Sequence, residues 1–389
     1  MKALQKILAS TIGIIFMLSG FVKIIDPMGT AIKFEEYFHV FAEDVSTTLP
    51  FLESFFLYLI GWKLFLSVMF SSFEFILGVA LLVNYRAKLM HRLTLLLLIF
   101  FGFLTFYSAF FDKVTDCGCF GDAIKFTPWG SFTKDLVLLV MLLVSMKLLP
   151  GKKRVSAYGT YGGGMSLQKE NSSIFKKISI WVAVLFAFGM CYYAIQHLPP
   201  IDFRPYKIGN NISEMMTSQE PCVSVYYMEK DGEEKMFENY PTDTSWKLVR
   251  METINEAECQ PLIPDYYISN EQGEDFTEIT TKGTKLLVII QNVSEIEPET
   301  MEPINDLIRG VSSDDVSALA ITSDATDFDA FKRKVRLSIP HYYADATVLK
   351  AVVRSNPGIL LVKDGTILGK WHHNDTPKSE VISQLLNQE

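Results

Sequence analysis

Five long apolar runs constrain this chain more than any other feature. A helix needs roughly 20 mostly apolar residues to cross the ~30 Å hydrocarbon core of a bilayer. The runs that approach this length all lie in the first half of the chain: Ile7–Ile25, Leu64–Val83, Leu93–Phe111, Phe132–Leu149 and Ile178–Leu198. A shorter apolar stretch, Phe51–Trp62, carries Glu53 and is either an interfacial helix or an extension of the second span. The chain is therefore predicted to cross the lipid bilayer five times.

Charge divides the 389-residue chain at the end of the last apolar run. Residues 1–199 hold 18 Lys and Arg against 12 Asp and Glu, a net of +6, whereas residues 200–389 hold 18 against 32, a net of −14. An apolar, basic half joined to an acidic, polar half is typical of a membrane anchor followed by a soluble domain. An acidic soluble half also argues against a nucleic-acid partner, because phosphate binding needs a basic surface.

The charges of the loops predict how the spans are oriented. The second loop holds three Lys and Arg residues and the fourth holds seven, whereas the first loop is acidic. Basic loops stay in the cytoplasm, so we expect a cytoplasmic N-terminus and, after five crossings, a C-terminal domain outside the cell or in the periplasm. The first span lacks a small-residue cleavage site before Lys23 and is interpreted as a retained helix. The predicted location is the plasma (inner) membrane.

The five cysteines all lie in predicted outward segments or in the last span: Cys117, Cys119, Cys191, Cys222 and Cys259. Disulfides are permitted in an oxidising compartment outside the cytoplasm. Cys222 and Cys259 each lie close to a predicted strand, and we expect a structural disulfide between them. Cys191 is interpreted as a small residue facing lipid or a neighbouring helix rather than as a resolving thiol.

Cys117 and Cys119 flank a single glycine in the third loop. Ordinary disulfides join Cα atoms about 4.4–6.8 Å apart, so a ring closed across one glycine would be strained and easily reduced. Such a bond suits disulfide transfer, although the carboxylates of Asp116 and Asp122 work against a fast thiolate. A turn in which both cysteines are small apolar fillers is the alternative. A zinc site is less favoured, because two thiolates supply only half of its ligands.

Three features of residues 5–150 carry a resemblance to known membrane proteins. The run Ile14–Pro27 and the pair Glu74 and Gly78 resemble the DoxX-type family, and Cys117–Gly121, CGCFG, resembles the signature of its methylamine-utilisation branch, MauE. MauE-like proteins are implicated in disulfide formation or export during maturation of a periplasmic dehydrogenase subunit, and DoxX-like proteins in quinone-coupled redox chemistry. The resemblance thus implies a four-helix membrane domain, a redox pair at Cys117 and Cys119, and a quinone as the cofactor.

Glu74 lies near the middle of the second span, where an ionised carboxylate costs several kcal/mol. A functional interpretation makes it a proton or quinone contact. The alternative is a hydrogen bond between helices, with Ser71 or Tyr107 as its partner. Lys23 is expected to lie too near the outer face to pair with Glu74 and to extend its ammonium group to the membrane surface.

The chain beyond residue 198 is predicted to form two regions. Residues 199–262 read as a β-rich linker, with strands at Val223–Met228, Glu234–Phe237 and Trp246–Met251. Residues 263–389 alternate strands and helices, which favours a sheet with helices on both faces. The predicted strands are Lys285–Gln291, Val316–Thr322, Gly358–Val362 and Thr366–Trp371, and the predicted helices are Pro298–Arg309, Asp327–Val335, Thr347–Arg354 and Asp375–Asn387.

This order of elements, together with Pro264-Asp265 and Asn356-Pro357-Gly358, resembles the thioredoxin-like fold of the TlpA and peroxiredoxin type. The resemblance assigns Pro357 to that family's cis-proline. The sequence departs from the family where its Cys-x-x-Cys motif should follow the first strand, because residues 291–301 contain no cysteine. A thiolate is the nucleophile of thiol exchange, so this domain is predicted to bind or scaffold rather than catalyse. The pair His372-His373 is interpreted as a solvated turn, and no metal site is predicted.

The sequence thus predicts five segments. They are a four-span DoxX/MauE-like domain (1–150), a basic cytoplasmic loop (151–177), a fifth transmembrane helix (178–198), a β-rich linker (199–262) and a degenerate thioredoxin-like domain (263–389). The favoured function is a redox-associated assembly or disulfide-maturation factor, with an exported protein as its client. The alternative is a non-catalytic membrane scaffold with inert thiols. Thiol trapping of Cys117 and Cys119 distinguishes the two.

Overall fold

The computed structural model describes residues 2–114, 118–124, 126–149, 166–218, 220–255, 259–311 and 316–387, with the side chains at 2 and 166–173 left aside. The chain forms two compact units, Met1–Phe203 and Arg204–Glu389. The first is helical and the second is a mixed α/β region that contains two sheets. Each unit is described by itself below.

The helices of the first unit are α1 (Lys2–Ile25), α2 (Pro27–Val45), α3 (Pro50–Ile60), α4 (Lys63–Leu82), α5 (Ala87–Phe111), α6 (Pro128–Lys147) and α7 (Ser166–Gln196). Five of them contain segments long and apolar enough to cross a membrane: Ala3–Ile25, Lys63–Leu82, Ala87–Phe111, Pro128–Lys147 and Ile174–Gln196. These are the five predicted spans, with ends that differ by a few residues. A bilayer core offers backbone groups no water, and a helix satisfies them internally.

Two helices, α2 and α3, lie between the first and second spans. Helix α2 was not predicted, although Asp26 caps it by accepting a hydrogen bond from Gly29 N and Pro27 occupies its first turn, a typical helix start. Helix α3 is separate from α4, because the chain turns at Gly61-Trp62, and none of its residues is buried. The stretch Phe51–Trp62 is therefore a short apolar helix of its own and not an extension of the second span.

Helices α1 and α4 approach each other closely because glycines line their contact. A Cβ atom on Gly20 would lie 2.5 Å from the backbone N of Phe75, and one on Gly78 would lie 2.4 Å from that of Met17. Small residues allow helix backbones to approach in this way inside membranes. The crossing brings the C-terminal third of α1 alongside the middle of α4, which is the setting for the polar cluster described below.

The second unit contains an antiparallel sheet of β1 (Ser224–Lys230), β2 (Glu233–Phe237) and β3 (Lys247–Thr253), in the order β2-β1-β3. All three strands were predicted. Residues of β2 and β3 are mostly exposed, so this sheet has little core of its own. A disulfide between Cys222 and Cys259, the pair expected to be bridged, joins the chain just before β1 to the chain after β3.

The second sheet has five strands: β4 (Thr284–Ile290), β5 (Ser317–Thr322), β6 (His341–Tyr343), β7 (Gly358–Lys363) and β8 (Thr366–His372). Their order is β6-β5-β4-β7-β8, with β4, β5 and β6 parallel and β7 and β8 antiparallel to their neighbours. The helices of this unit are α8 (Ile212–Met215), α9 (Thr277–Thr281), α10 (Met301–Val311), α11 (Phe328–Lys334), α12 (Ala346–Val352) and α13 (Ser379–Leu386). Helices α10 and α13 pack on the sheet, and Ile304, Ile382 and Val288 belong to one buried apolar cluster.

Three details of this unit differ from expectation. The three-residue strand β6 and the short helices α8 and α9 were not predicted. Part of the expected linker instead lies along β8, since Gly209 N donates to Ile367 O at 2.8 Å and Ile212 N donates to Gly365 O at 2.8 Å. His372 is buried as the last residue of β8, so the interpretation of both histidines as a solvated turn is wrong for His372.

Candidate functional site

A cluster of buried polar side chains lies where α1, α4, α5 and α6 meet the described part of the third loop. Its members share burial in an otherwise apolar bundle: Ser19, Lys23, Glu74, Thr105, Cys119 and Asp135. Lys134 joins them with its side chain 22% exposed. Ionisable groups at such depth are costly and mark functional sites in membrane proteins.

The centre of the cluster is an ion pair between α1 and α4. Lys23 Nζ donates to Glu74 Oε2 at 2.7 Å, and the two side chains are only 6% and 5% exposed. The same ammonium group donates to Ser19 Oγ at 3.2 Å and lies 4.6 Å from the centroid of the Phe101 ring. Glu74 thus has its charge compensated within the bundle.

This pair corrects two expectations about Glu74. Lys23 does not extend its ammonium group to the membrane surface, because its side chain is buried in the bundle and pairs with Glu74. The expected hydrogen-bond partners of Glu74 are engaged differently. The hydroxyl of Ser71 is buried and has no partner among the described residues, and Tyr107 donates to Asp44.

A second charged pair lies on α6 and was missed in the sequence. Lys134 Nζ is 3.0 Å from Asp135 Oδ1, and Thr105 Oγ1 of α5 donates to Asp135 Oδ2 at 3.0 Å. The signal for it was present, since Lys134 and Asp135 are adjacent charged residues inside the predicted fourth span. Their hydrogen bond to α5 places this pair in the same cluster as Lys23.

Cys119 lies on the cluster, in a loop held by glycine turns. Gly118 and Gly121 adopt positive φ angles of 62° and 51°, a conformation that glycine adopts without steric cost. The carbonyl of Cys119 accepts a hydrogen bond of 2.6 Å from Ser19 Oγ, and the residue is buried. Its expected redox partner, Cys117, lies outside the described residues, so the paired state of Cys117 and Cys119 stays a prediction.

Cys119 lines two small cavities that share Lys23. One, of about 20 Å³, is also lined by Glu74, Lys134 and Asp135. The other, of about 30 Å³, extends toward α2. A cavity of this size holds one or two water molecules, so neither cavity fits the ring of the quinone that the family resemblance implies. We therefore assign no step to a quinone at this site.

A second polar group lies toward the end of α5. The carboxylate of Asp44, on α2, accepts hydrogen bonds from Lys113 and from Tyr107. These two contacts, that of Lys113 first, hold the pKa of Asp44 below its usual range. The group ties α2 to the start of the third loop.

The second unit has no cysteine at the position where β4 ends. Gln291 occupies it, and its side-chain Nε2 donates to the carbonyls of Val353 at 2.8 Å and Ser355 at 3.1 Å. The backbone N of Gln291 donates to Asn356 Oδ1 at 2.9 Å, and Asn356 Nδ2 donates to the carbonyl of Asn292 at 2.8 Å. These amides bind the backbone and offer no nucleophile.

The peptide bond between Asn356 and Pro357 is cis, which places a cis-proline where the family resemblance puts one. His373, which follows β8, lies close to this cis-proline segment, with its Nδ1 3.1 Å from Ser355 Oγ. Burial lowers the pKa of His373 below its usual value. Among the described residues, no group of three His, Cys, Asp or Glu side chains is placed to hold a metal ion.

Comparison with known families covers parts of both units. Residues 1–148 match the family model of methylamine utilisation protein MauE. Residues 222–255, which contain β1 to β3, match the model of a domain of unknown function (DUF8463). No curated protein and no solved structure matches the chain. The membrane region is thus of MauE type, in a multi-pass membrane protein, whereas the thioredoxin-like assignment of residues 263–389 stays a prediction.

Proposed function

We propose that this protein is a redox-associated maturation factor that exchanges disulfides with an exported protein through Cys117 and Cys119. The observation that carries the proposal is the position of Cys119 on the cavity lined by the buried pair Lys23–Glu74 and the partly buried pair Lys134–Asp135. A loop cysteine that served only as an apolar filler would not need two ion pairs beside it. The name of the matched family, methylamine utilisation, is consistent with a maturation role in the membrane.

The proposed chemistry is a balanced exchange between two dithiol pairs. A client thiolate attacks the bond between Cys117 and Cys119, one sulfur leaves as a thiolate, and the second client thiolate displaces the other from the mixed disulfide. Two electrons and two protons pass from the client to the loop. Ammonium groups beside a cysteine favour its thiolate form, so Lys23 and Lys134 would stabilise Cys119 as it leaves.

The second unit would hold the client without reacting with it. The central strand order β5-β4-β7-β8, with β4 and β5 parallel and β7 and β8 antiparallel, supports a thioredoxin-like arrangement. Gln291, at the end of β4 where the missing Cys-x-x-Cys motif would follow, is held by hydrogen bonds to Asn356 and Val353. The acidic balance of residues 200–389 and the basic second and fourth loops support an outward-facing second unit.

A thiol-trapping experiment in intact cells tests this function. Reduced and oxidised cysteines are separated by mass shift in the wild type and in the variants C117S, C119S and C191S. In the wild type we expect a reducible bond at Cys117 and Cys119 in addition to the Cys222–Cys259 bridge, which every variant keeps. The loop bond should be lost in C117S and C119S and kept in C191S, the matched control within a membrane helix. Two free, unreactive thiols at Cys117 and Cys119 in every condition would favour the scaffold instead.

A further inference from the structure

A basic pocket at the other end of the helical bundle is not used by the proposed redox site. It has a volume of about 520 Å³, which is within the usual range for ligand pockets. Its lining comes from the start of α1, the turn between α4 and α5, the start of α5 and the chain after α6, and it includes Gln5, Lys6, Arg86, Lys88, Leu89 and Leu149. At 1.5 Å per helical residue, Gln5 and Lys23 are roughly 27 Å apart along α1.

Among the described side chains, no carboxylate pairs with the positive charges of this pocket. Lys6, Arg86 and Lys88 form no ion pair with any residue in the described part of the chain. Residues 1–25 and 75–111, which supply most of the lining, contain no Asp or Glu. Three cations around one cavity, without a counter-ion among the described side chains, favour an anionic ligand.

Two further groups in the pocket can bind an anion: the side-chain amide of Gln5 and the first-turn N–H groups of α5. Gln5 is 5% exposed and lines the cavity, and no hydrogen bond joins its side chain to the other described residues. Its amide can therefore take a hydrogen-bond partner inside the cavity. The start of α5 has no side-chain cap, since its N-cap residue Arg86 provides none. The N–H groups of an uncapped first turn bind anions well.

We propose that this pocket binds the phosphate group of an anionic phospholipid. The phosphate oxygens would accept hydrogen bonds from Gln5 and the first turn of α5, and Arg86 and Lys88 would balance their charge. The pocket lies where several spans end, which is the level of lipid headgroups, and Leu89 and Leu149 offer apolar surface for the start of an acyl chain. A basic pocket between transmembrane helices suits an anionic lipid for this reason.

The test uses the purified full chain in detergent, with lipid binding measured by native mass spectrometry. The probes are phosphatidylglycerol, phosphatidylcholine and inorganic phosphate. The first variant, Arg86→Gln with Lys88→Gln, removes two charges, and the second, Gln5→Leu, keeps every charge and removes the buried amide. Arg92→Gln is the matched control, because Arg92 is an exposed cation of α5 that does not line the pocket. Helix content and monodispersity are checked for each variant.

We expect the wild type and Arg92→Gln to prefer phosphatidylglycerol over phosphatidylcholine, and we expect both pocket variants to bind phosphatidylglycerol about tenfold more weakly. Equal binding of the two lipids would overturn the proposal, as would unchanged binding in both pocket variants. An equal loss in Arg92→Gln would reduce the effect to general surface charge and overturn it too. If inorganic phosphate displaced the lipid at similar concentration, the proposal of a lipid ligand would be overturned, and the pocket would be a site for free phosphate. None of these outcomes depends on the redox state of Cys119.

Discussion

The two units hold their polar side chains in different kinds of network. In the first unit, the candidate site combines a cysteine with three buried charged groups and the partly exposed Lys134, whereas the second unit places the amides of Gln291 and Asn356 against backbone carbonyls. Buried ion pairs are a weak source of stability, because desolvation offsets their attraction. Amide networks that satisfy the backbone contribute to stability directly. The difference agrees with the proposed function, in which the first cluster serves chemistry and the second serves folding.

The largest effect is expected where one partner of the buried pair is removed. Lys23→Met leaves Glu74 as an uncompensated charge in the bundle and should cost about 3–5 kcal/mol of unfolding free energy. Lys23→Met combined with Glu74→Leu should recover most of that loss, since no buried charge then remains. The measurement is the unfolding midpoint of the full chain in detergent.

Lys33→Met is the control for this pair. Its partner Glu36 lies one turn away on α2, and both side chains are about one-third exposed. An exposed pair contributes about 0–1 kcal/mol, so this variant should stay close to the wild type. If Lys23→Met lost no more stability than Lys33→Met, the buried pair would not be the centre of the cluster, and the contrast between the two units would weaken.

The next effect belongs to the second unit and concerns its disulfide. Replacing Cys222 and Cys259 together by Ser should lower the stability of residues 204–389 by about 2–4 kcal/mol, because a 37-residue loop loses its closure. The β1–β3 sheet should respond most, since two of its strands are largely exposed. Hydrogen exchange of the full chain measures this by segment. Equal protection of β1 to β3 in the variant and the wild type would contradict the prediction, and C191S serves as the control.

The sequence predicts those features of the two units whose signals lie within a single stretch of the chain. The five spans were predictable because a bilayer requires long apolar helices, and most strands and helices of the second unit were predictable from periodicity. Helix α2 was missed because charged residues interrupt its apolar pattern. Its start signal, Asp26 followed by Pro27, was nevertheless present.

The candidate site was predictable only in part. The motif at Cys117 and Cys119 pointed to the loop, but the contact between Lys23 and Glu74 joins residues 51 positions apart. The contact depends on the close approach of α1 and α4 at their glycines. The position of Lys23 along the span, taken alone, wrongly predicted that it lies at the membrane surface. Small residues at Gly20 and Gly78 were the one signal that could have brought the two helices together.

A smaller effect should follow from breaking the amide network of the second unit. Gln291→Leu leaves the carbonyls of Val353 and Ser355 without their side-chain donor, and this should cost about 1–3 kcal/mol. Gln272→Leu, at an exposed position, is the control and should change little. Hydrogen exchange near β4 and β7 measures the loss. A change in the redox state of Cys119 in Gln291→Leu would contradict the view that this network serves folding alone.

The smallest effect is a pH dependence confined to the second unit. Burial lowers the pKa of His373, and burial followed by the charge of Lys332 lowers that of His341. The unfolded chain then binds these protons more readily than the folded one, so this stability is present above the ordinary histidine pKa of about 6.5 and is lost as the pH falls through the lower folded values. Hydrogen exchange of residues 204–389, with intrinsic exchange rates corrected for pH, should show protection that declines between about pH 7 and pH 5. The decline should be smaller in His341→Gln with His373→Gln and unchanged in His39→Gln, because His39 belongs to the membrane unit. If the decline were equal in the wild type, the double variant and His39→Gln, other titratable groups would cause it. His341 and His373 would then create no difference in pH dependence between the units.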